Sequence, residues 1–458
     1  MIARELAAWA LGEVDIPETV RTAAKRHLLD GLGTALAAVR TGAGTPATTV
    51  ARGLGGPGEA TILGTSDRVS APAAALANGT LVHALDFDDT HAGGLVHATS
   101  VVLPAALAVG EERGATGEQV LTAAVVGYEA VCRIAAAAPH GFHSRGLHAT
   151  MVAGVFSSAL VAARLMGLDA ERATHALGIA GSQAGGLLAF LGTEASTKQL
   201  HPGFASQAGI IAARLAEAGA TGPATVFDGP HSVYDAMAAG TVDRSAILAE
   251  LGTRWETTNI GIKPWPACQL SHATIAAVRQ AMATESFDAA QVAAVHAIVH
   301  PDSASVVCDT SRDLTRPASP YAAKFSLPWC VAAVLIDGDL GVDTFAEQSL
   351  TRPEITALAS KVTWELTPSP KTVAADAPGE VTITLTDGRR ITGHVERSPG
   401  GGPAPLSQEA LVTKFETNLG RPAPELVRSV MELDAAPDLA TLIRQAAAAV
   451  AGNREDGD

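Results

Sequence analysis

The sequence predicts a mainly α protein, a large all-helical domain plus a smaller α+β domain, and three observations carry that expectation. Apolar residues recur at helical spacing in one segment after another between Ile16 and Ala218. Alternating β-branched runs occur only beyond Pro266. Helical spacing then returns from Ser407 to Val450, after the flexible run SPGGGPAP. The 458 residues exceed what one hydrophobic core usually supports, which favours two domains. Hydrophobic residues make up 47% and aromatics only 4%, so the interior must be filled mainly by Ala, Leu, Val and Gly, and alanine is the best helix former.

The elements follow in order. Pro17 stands near the start of a helix expected over Ile16–Arg40, with Val20, Ala24, Leu28 and Leu29 on one face. Further helices are expected over Ala71–Leu85, Ala98–Arg113, Gly117–Ala137, Ala149–Met166, Asp169–Phe190 and Gly203–Ala218. Beyond Pro266, Val292–His300 is short and β-branched, and Lys361–Leu366 alternates. Val381–Thr386 runs into Asp387-Gly388, a favoured hairpin turn, and Ile391–Glu396 supplies the return strand. These features place an all-helical domain at 1–262 and an α+β domain at 263–404. Periodicity alone does not decide whether the helical tail, 405–458, packs back on the first domain.

A net charge of −15 leaves no basic stripe for nucleic acid, although a local pocket of Lys, Arg and His can still hold a small anion. Cys132, Cys268, Cys308 and Cys330 are widely spaced and suggest neither a zinc knuckle nor a disulfide framework, which fits a reducing cytoplasm. The N-terminus lacks the basic region of a signal peptide. The apolar stretches Leu95–Gly110 and Leu147–Gly167 are interrupted by His, Pro or Arg and read as buried helices, not membrane spans. Gly53-Leu54-Gly55-Gly56-Pro57-Gly58 fits GxGxxG in letters, but helical sequence precedes it and β-like ATILG follows, so it reads as a turn.

Chemistry concentrates between His83 and His97. The run HALDFDDTH packs three carboxylates, two imidazoles and a hydroxyl into nine positions of an otherwise apolar region. A helical run would put Asp86 and Thr90 on one face and pair Asp88 with His91; the bland alternative is a capped helix end. Six of the fourteen histidines lie between His83 and His148, and imidazoles near carboxylates suit proton transfer near neutral pH. GFHSRGLHAT sets His143, Arg145 and His148 before a helix N-terminus, where carboxylates bind well. Lys198 and His201 fall in a polar stretch read as a loop, and Lys263 precedes a Pro-Trp-Pro turn at the expected domain boundary. No HExxH, CxxC or EF-hand spacing occurs, so no metal is expected.

HALDFDDTH with His97, GYE at 127–129, GLHAT at 146–150, ALGIAGSQAGGL at 176–187, TKQLHPGFASQAG at 197–209, TGP at 221–223, KPWPAC at 263–268 and FSLPW at 325–329 together resemble the MmgE/PrpD family. Its members dehydrate 2-methylcitrate, decarboxylate cis-aconitate or epimerise iminodisuccinate. The resemblance implies a helical domain that includes the C-terminal segment, an α+β lid domain, a homodimer, and no cofactor. It implies active-site roles for Asp86, Thr90, His97, His148, Lys198 and Lys263. His91 departs from the Trp of 2-methylcitrate dehydratases, which points away from that substrate.

The expected activity is a cofactor-independent lyase that dehydrates or decarboxylates a small di- or tricarboxylic acid, with an epimerase on a similar polycarboxylate as the alternative. Charge builds next to an existing carboxylate in such reactions, so cations must face it. Lys198, Lys263 and His148 are expected there, with His97 moving the proton, Asp86 orienting an imidazole and Thr90 bonding the substrate. His91, Arg145, His201 and His272 are expected to bind substrate. A metal-dependent hydrolase would instead use the His/Asp cluster as ligands. A helical repeat protein would show a period of roughly 30–45 residues, which the sequence lacks.

Overall fold

The computed structural model describes residues 1–451 except Glu194 and Ser369. The chain forms two compact units, one from Met1–Ile260 with the segment from Ser407 onward, the other Gly261–Leu406. The architecture is mainly α.

The first unit begins with α1 (Ile2–Leu11), α2 (Glu18–Thr41), α3 (Thr45–Leu54) and α4 (Ala71–His83). It continues through α5 (Thr99–Arg113), α6 (Gly117–Ala136), α7 (Ala149–Leu165), α8 (Ala170–Gly181) and α9 (Thr197–Glu217). A Thr116/Gln119 capping box starts α6, and the Asp169 side chain accepts from Arg172 N at the start of α8. The glycine-rich segment after α3 is a turn leading to the two-residue strand Ala60–Thr61, which pairs with Arg68–Val69.

Two helix boundaries differ from the sequence expectation. The helix expected over Asp169–Phe190 ends at Gly181; beyond it Gly186 takes φ +94, and its carbonyl accepts the backbone N–H of His148 at 2.7 Å. That positive φ is open to glycine at little cost. The helix expected to begin at Gly203 begins at Thr197, so Lys198 and His201 sit on α9, one turn apart on its buried face, and not in a loop. Pro202 costs α9 the backbone bond to the Lys198 carbonyl. Packing offsets that cost. A Cβ on Gly203 would stand 2.3 Å from Leu76 O, and one on Gly79 2.8 Å from Gly203 Cα, so α4 and α9 cross backbone to backbone. The contact seats the first turn of α9 beside the C-terminus of α4, where Gln199 Nε2 donates to Ala84 O at 2.9 Å.

α6 is long and apolar enough to cross a membrane, yet it is largely buried and carries an ion pair. Arg133 Nε donates to Glu129 Oε2 at 3.0 Å, and its Nη atoms donate to Ala249 O at 2.7 Å and to Arg254 O. Glu129 accepts from Glu256 N at 3.1 Å and from Thr257 N and Oγ1, both at 2.8 Å. The pair thus pins the segment 249–257 to the helical body. Arg133→Ala strands the buried carboxylate, and the expected loss is about 3–5 kcal/mol of stability, read from the urea midpoint. A loss below about 1 kcal/mol would show that Glu129 is held by its donors from Glu256 and Thr257 alone.

In the second unit, β1 (Val292–Val299), β2 (Val362–Leu366), β3 (Gly379–Leu385) and β4 (Arg390–Val395) form one sheet in the order β2-β1-β3-β4. β1 pairs parallel with β2 and antiparallel with β3, and the β3–β4 hairpin turns at Asp387-Gly388, where Gly388 has φ +89. The helices α10 (His272–Thr284), α11 (Leu327–Asp337) and α12 (Pro353–Ala359) complete this unit. Ile275, Val295, Trp329 and Ile383 lie in its core. The chain then supplies α13 (Gln408–Leu419), α14 (Pro424–Met431) and α15 (Ala440–Ala451) to the first unit. Phe415 of α13 packs where Gly33 leaves α2 without a side chain, and Lys414 Nζ bonds Asp30 at 2.6 Å and Phe87 O at 2.9 Å.

Candidate active site

α4 stops at His83, and residues 84–98 form a buried non-helical crossing to α5. The helical pairing of Asp86 with Thr90 and of Asp88 with His91 therefore does not form. Asp86 takes φ +51, a conformation rare outside glycine and the Asx residues, and beyond it Asp88 meets His83, the last residue of α4.

The cluster is built from this crossing, the start of α7 and the first turn of α9. His83 Nδ1 donates to Asp88, 2.8 and 3.0 Å from the two carboxylate oxygens. His97 Nδ1 donates to the backbone carbonyl of Asp89 at 2.9 Å, with Thr90 Oγ1 3.4 Å from the same nitrogen. These bonds fix both tautomers and leave the Nε2 lone pair of each ring as the basic site. His148 takes the N-cap position of α7; its Nε2 meets Thr150 Oγ1 at 3.1 Å and its Nδ1 meets His201 Nδ1 at 3.1 Å. Thr150 Oγ1 also accepts the backbone N–H of His97 at 3.1 Å. Lys198 Nζ donates to Asp86 Oδ1 at 3.0 Å. Ring centroids stand 4.6 Å apart for His83 and His97, 5.7 Å for His83 and His148, and 5.9 Å for His97 and His148.

Burial decides the electrostatics. It pushes His148 well below the usual imidazole range and His201 down to about 4, helped by His83 and Lys198, so both rings are neutral near pH 7. Burial also pushes the Asp89 carboxyl up to about 8, assisted by Asp88 and Asp30 and opposed by Thr99, whose N–H and hydroxyl bond it. Thr90, His97 and Lys198 each retain 8% exposure whereas His83 and Asp88 retain none, so solvent meets the cluster through the former three.

The structure thus brings together Asp86, Thr90, His97, His148, Lys198 and His201. His91 is turned away to brace the crossing, with its Nε2 facing Glu256 at 3.2 Å and its Nδ1 accepting from Gly94 N. Arg145 is exposed beyond the short helix Gly141–Ser144. Lys263 and His272 lie buried in the second unit, His272 with Nε2 bonded to Ala267 O and its ring edge-on to Trp265. Sequence reasoning left His83 and Asp88 outside the site. The signal present was their place within HALDFDDTH, but a spacing of five has no helical meaning and only the turn at Asp86 joins them.

Donor atoms of His83, His97 and His148, and of His83, Asp86, Asp88 and His97, lie within 4.8 Å of one another, which invites a metal reading. Several of the donors are already committed. His148 has both ring nitrogens in hydrogen bonds, and both Asp88 oxygens face His83 Nδ1, at 3.0 and 2.8 Å. A metal held by His148 would have to displace one of those bonds.

Comparison with known sequences agrees in extent. Residues 4–245 match the MmgE/PrpD N-terminal domain and residues 265–435 the MmgE/PrpD C-terminal domain. The chain is 29% identical to the cis-aconitate decarboxylase of Aspergillus terreus, over 96% of this chain and 95% of that one. It is 30% identical to the cis-aconitate decarboxylase of Mus musculus, over 87% and 82%, and 28% identical to that of Homo sapiens, over 87% and 83%. With both domain models matched in order along one chain, this protein belongs to the MmgE/PrpD family.

Proposed function

We propose that the protein is a cofactor-independent lyase that decarboxylates cis-aconitate or a close tricarboxylate by acid–base chemistry at the His97 cluster. The observation that carries this reading is the convergence of His83, His97 and His148 beside the Lys198–Asp86 pair, in a chain similar to proteins named for that activity. In this mechanism Lys198 and His148 hold substrate carboxylates, and Thr90 hydrogen-bonds one of them. As the C–C bond to the departing carboxylate breaks, CO₂ leaves and the electron pair spreads over the allylic system. His97 then delivers a proton to carbon. The balance consumes one proton per turnover and yields a five-carbon unsaturated dicarboxylate. The second unit serves as a lid that carries Lys263 to the substrate and excludes water, and the working form is a homodimer, as the family resemblance implies.

Incubation of the protein with cis-aconitate, followed by NMR, is expected to show loss of substrate and release of CO₂ with no added metal and no loss of rate in chelator. Conversion of 2-methylcitrate or iminodisuccinate in its place would move the reading to the dehydratase or epimerase branch.

A second expectation follows from the neutral imidazoles. A polyanion beside His148 and His201 favours their charged forms and raises their pKa from the values that burial depresses. Binding near pH 7 then takes up a proton, and affinity falls as pH rises through the raised pKa of the complex. Calorimetric titration of a slow substrate analogue in phosphate and in Tris, whose ionisation enthalpies differ, is expected to give different apparent enthalpies. Equal enthalpies would mean that no proton is taken up.

A further inference from the structure

We propose that His83, held by Asp88, stores the proton that the site consumes and passes it to the His97–His148 face of the cluster. The inference rests on the decarboxylase reading, since a net proton is required there at each turnover.

Three observations carry it. His83 Nε2 is fully buried and lacks a hydrogen-bond partner among the described residues, although buried ring nitrogens are ordinarily paired. Its opposite nitrogen bonds a carboxylate that is itself completely buried, so a proton arriving at Nε2 creates an imidazolium already beside its counter-charge. The His83 ring lies nearer to His97 than any other ring of the cluster does, at 4.6 Å. An unpaired basic nitrogen in that place is costly for stability alone and serviceable for holding a proton out of solvent.

The surrounding charges agree with the assignment. His83 ends α4, and Asp86 and Asp88 come from the crossing that follows it; His97 precedes α5, His148 opens α7, and Lys198 and His201 stand on α9. Behind the crossing are Asp89, with Asp30 and His27 of α2 and Lys414 of α13. Lys198 is bonded to Asp86, and Asp88 is the carboxylate bonded to the His83 ring, with its Oδ2 also 3.8 Å from His97 Nδ1. The stored proton moves from His83 Nε2 to the Nε2 of His97 that has just given its own proton to the substrate carbanion, and between turnovers His83 is reloaded from solvent by way of His97, the more exposed of the two. His83 is in this sense a positioning and relay residue, acting through His97.

The test compares wild type, Asp88→Asn and His83→Gln, each with cis-aconitate across pH 5–9 and each checked for folding by thermal melt. Asp88→Asn removes the counter-charge and keeps the imidazole. Its alkaline limb of kcat is expected to move to lower pH by one unit or more, with KM changed by less than about threefold. His83→Gln is expected to lose at least tenfold in kcat, again with little change in KM. A uniform fall of kcat at every pH with no displacement of the alkaline limb, or a rise in KM alone, would make the dyad structural and overturn the inference. Wild type inert toward cis-aconitate would instead overturn the decarboxylase reading on which the inference stands, so the two failures are told apart by the wild-type control.

Discussion

His97→Ala is expected to lower kcat/KM on cis-aconitate by about 10²–10⁴-fold, the usual contribution of a positioned acid–base group. The expectation comes from the way the ring is held. The Asp89 carbonyl takes the Nδ1 proton, the Thr150 hydroxyl takes the backbone N–H, and Nε2 is left as the position that gains and gives a proton. The negative charge behind the ring is that of Asp88, whose Oδ2 lies 3.8 Å from Nδ1, because the Asp89 carboxyl, pushed up to about 8 mainly by burial, is largely neutral at pH 7. His97→Gln keeps a polar side chain of similar reach but carries no proton, and should fall nearly as far. Steady-state rates of the two variants, with a thermal melt to confirm folding, decide the matter. Either variant retaining more than about a tenth of wild-type kcat/KM would remove His97 from the chemistry and leave His148 or His83 as the proton carrier.

The helical body was legible because its signal is local. Apolar spacing marked α2, α4, α5, α6 and α7 to within two residues at each end, and Asp387-Gly388 marked the hairpin of the second unit. What the sequence hid depends on partners distant in the chain. Pro202 reads as a helix stop, yet α9 runs through it because the Gly79–Gly203 crossing stabilises the helix against α4. The segment after α8 leaves the helical path, and its Gly186 carbonyl bonds the backbone N–H of His148, a partner distant in the chain. The Glu129–Arg133 pair has the familiar spacing of a surface salt bridge, and only the peptide groups of 249–257 reveal it as a buried clamp. Within the site, residue types were informative and geometry was not: the polar run identified the place, but the turn at Asp86 decided that Asp88 would meet an imidazole and Asp86 a lysine.

That last pairing leads to the other large effect. Lys198→Ala is expected to cost about 10²–10³-fold in kcat/KM, comparable to the removal of a preorganised group that stabilises developing charge. The lysine is not an unopposed cation. At the 3.0 Å separation of Lys198 and Asp86 the carboxylate cancels most of the field that a distant polyanion would feel. Lys198 therefore acts at contact range, donating to a substrate oxygen while Asp86 fixes the direction of its ammonium. Asp86→Asn leaves the ammonium in place and should cost less than Lys198→Ala. The double variant should fall no further than Lys198→Ala alone, because residues that act through one contact are not additive. It also removes the stranded carboxylate that could unfold the single variant. Rates of the three variants on cis-aconitate close the cycle. Additive losses, with Asp86→Asn as damaging as Lys198→Ala, would show instead that Asp86 reaches the substrate by a route of its own, and the lysine would lose its place as the group that the aspartate aims.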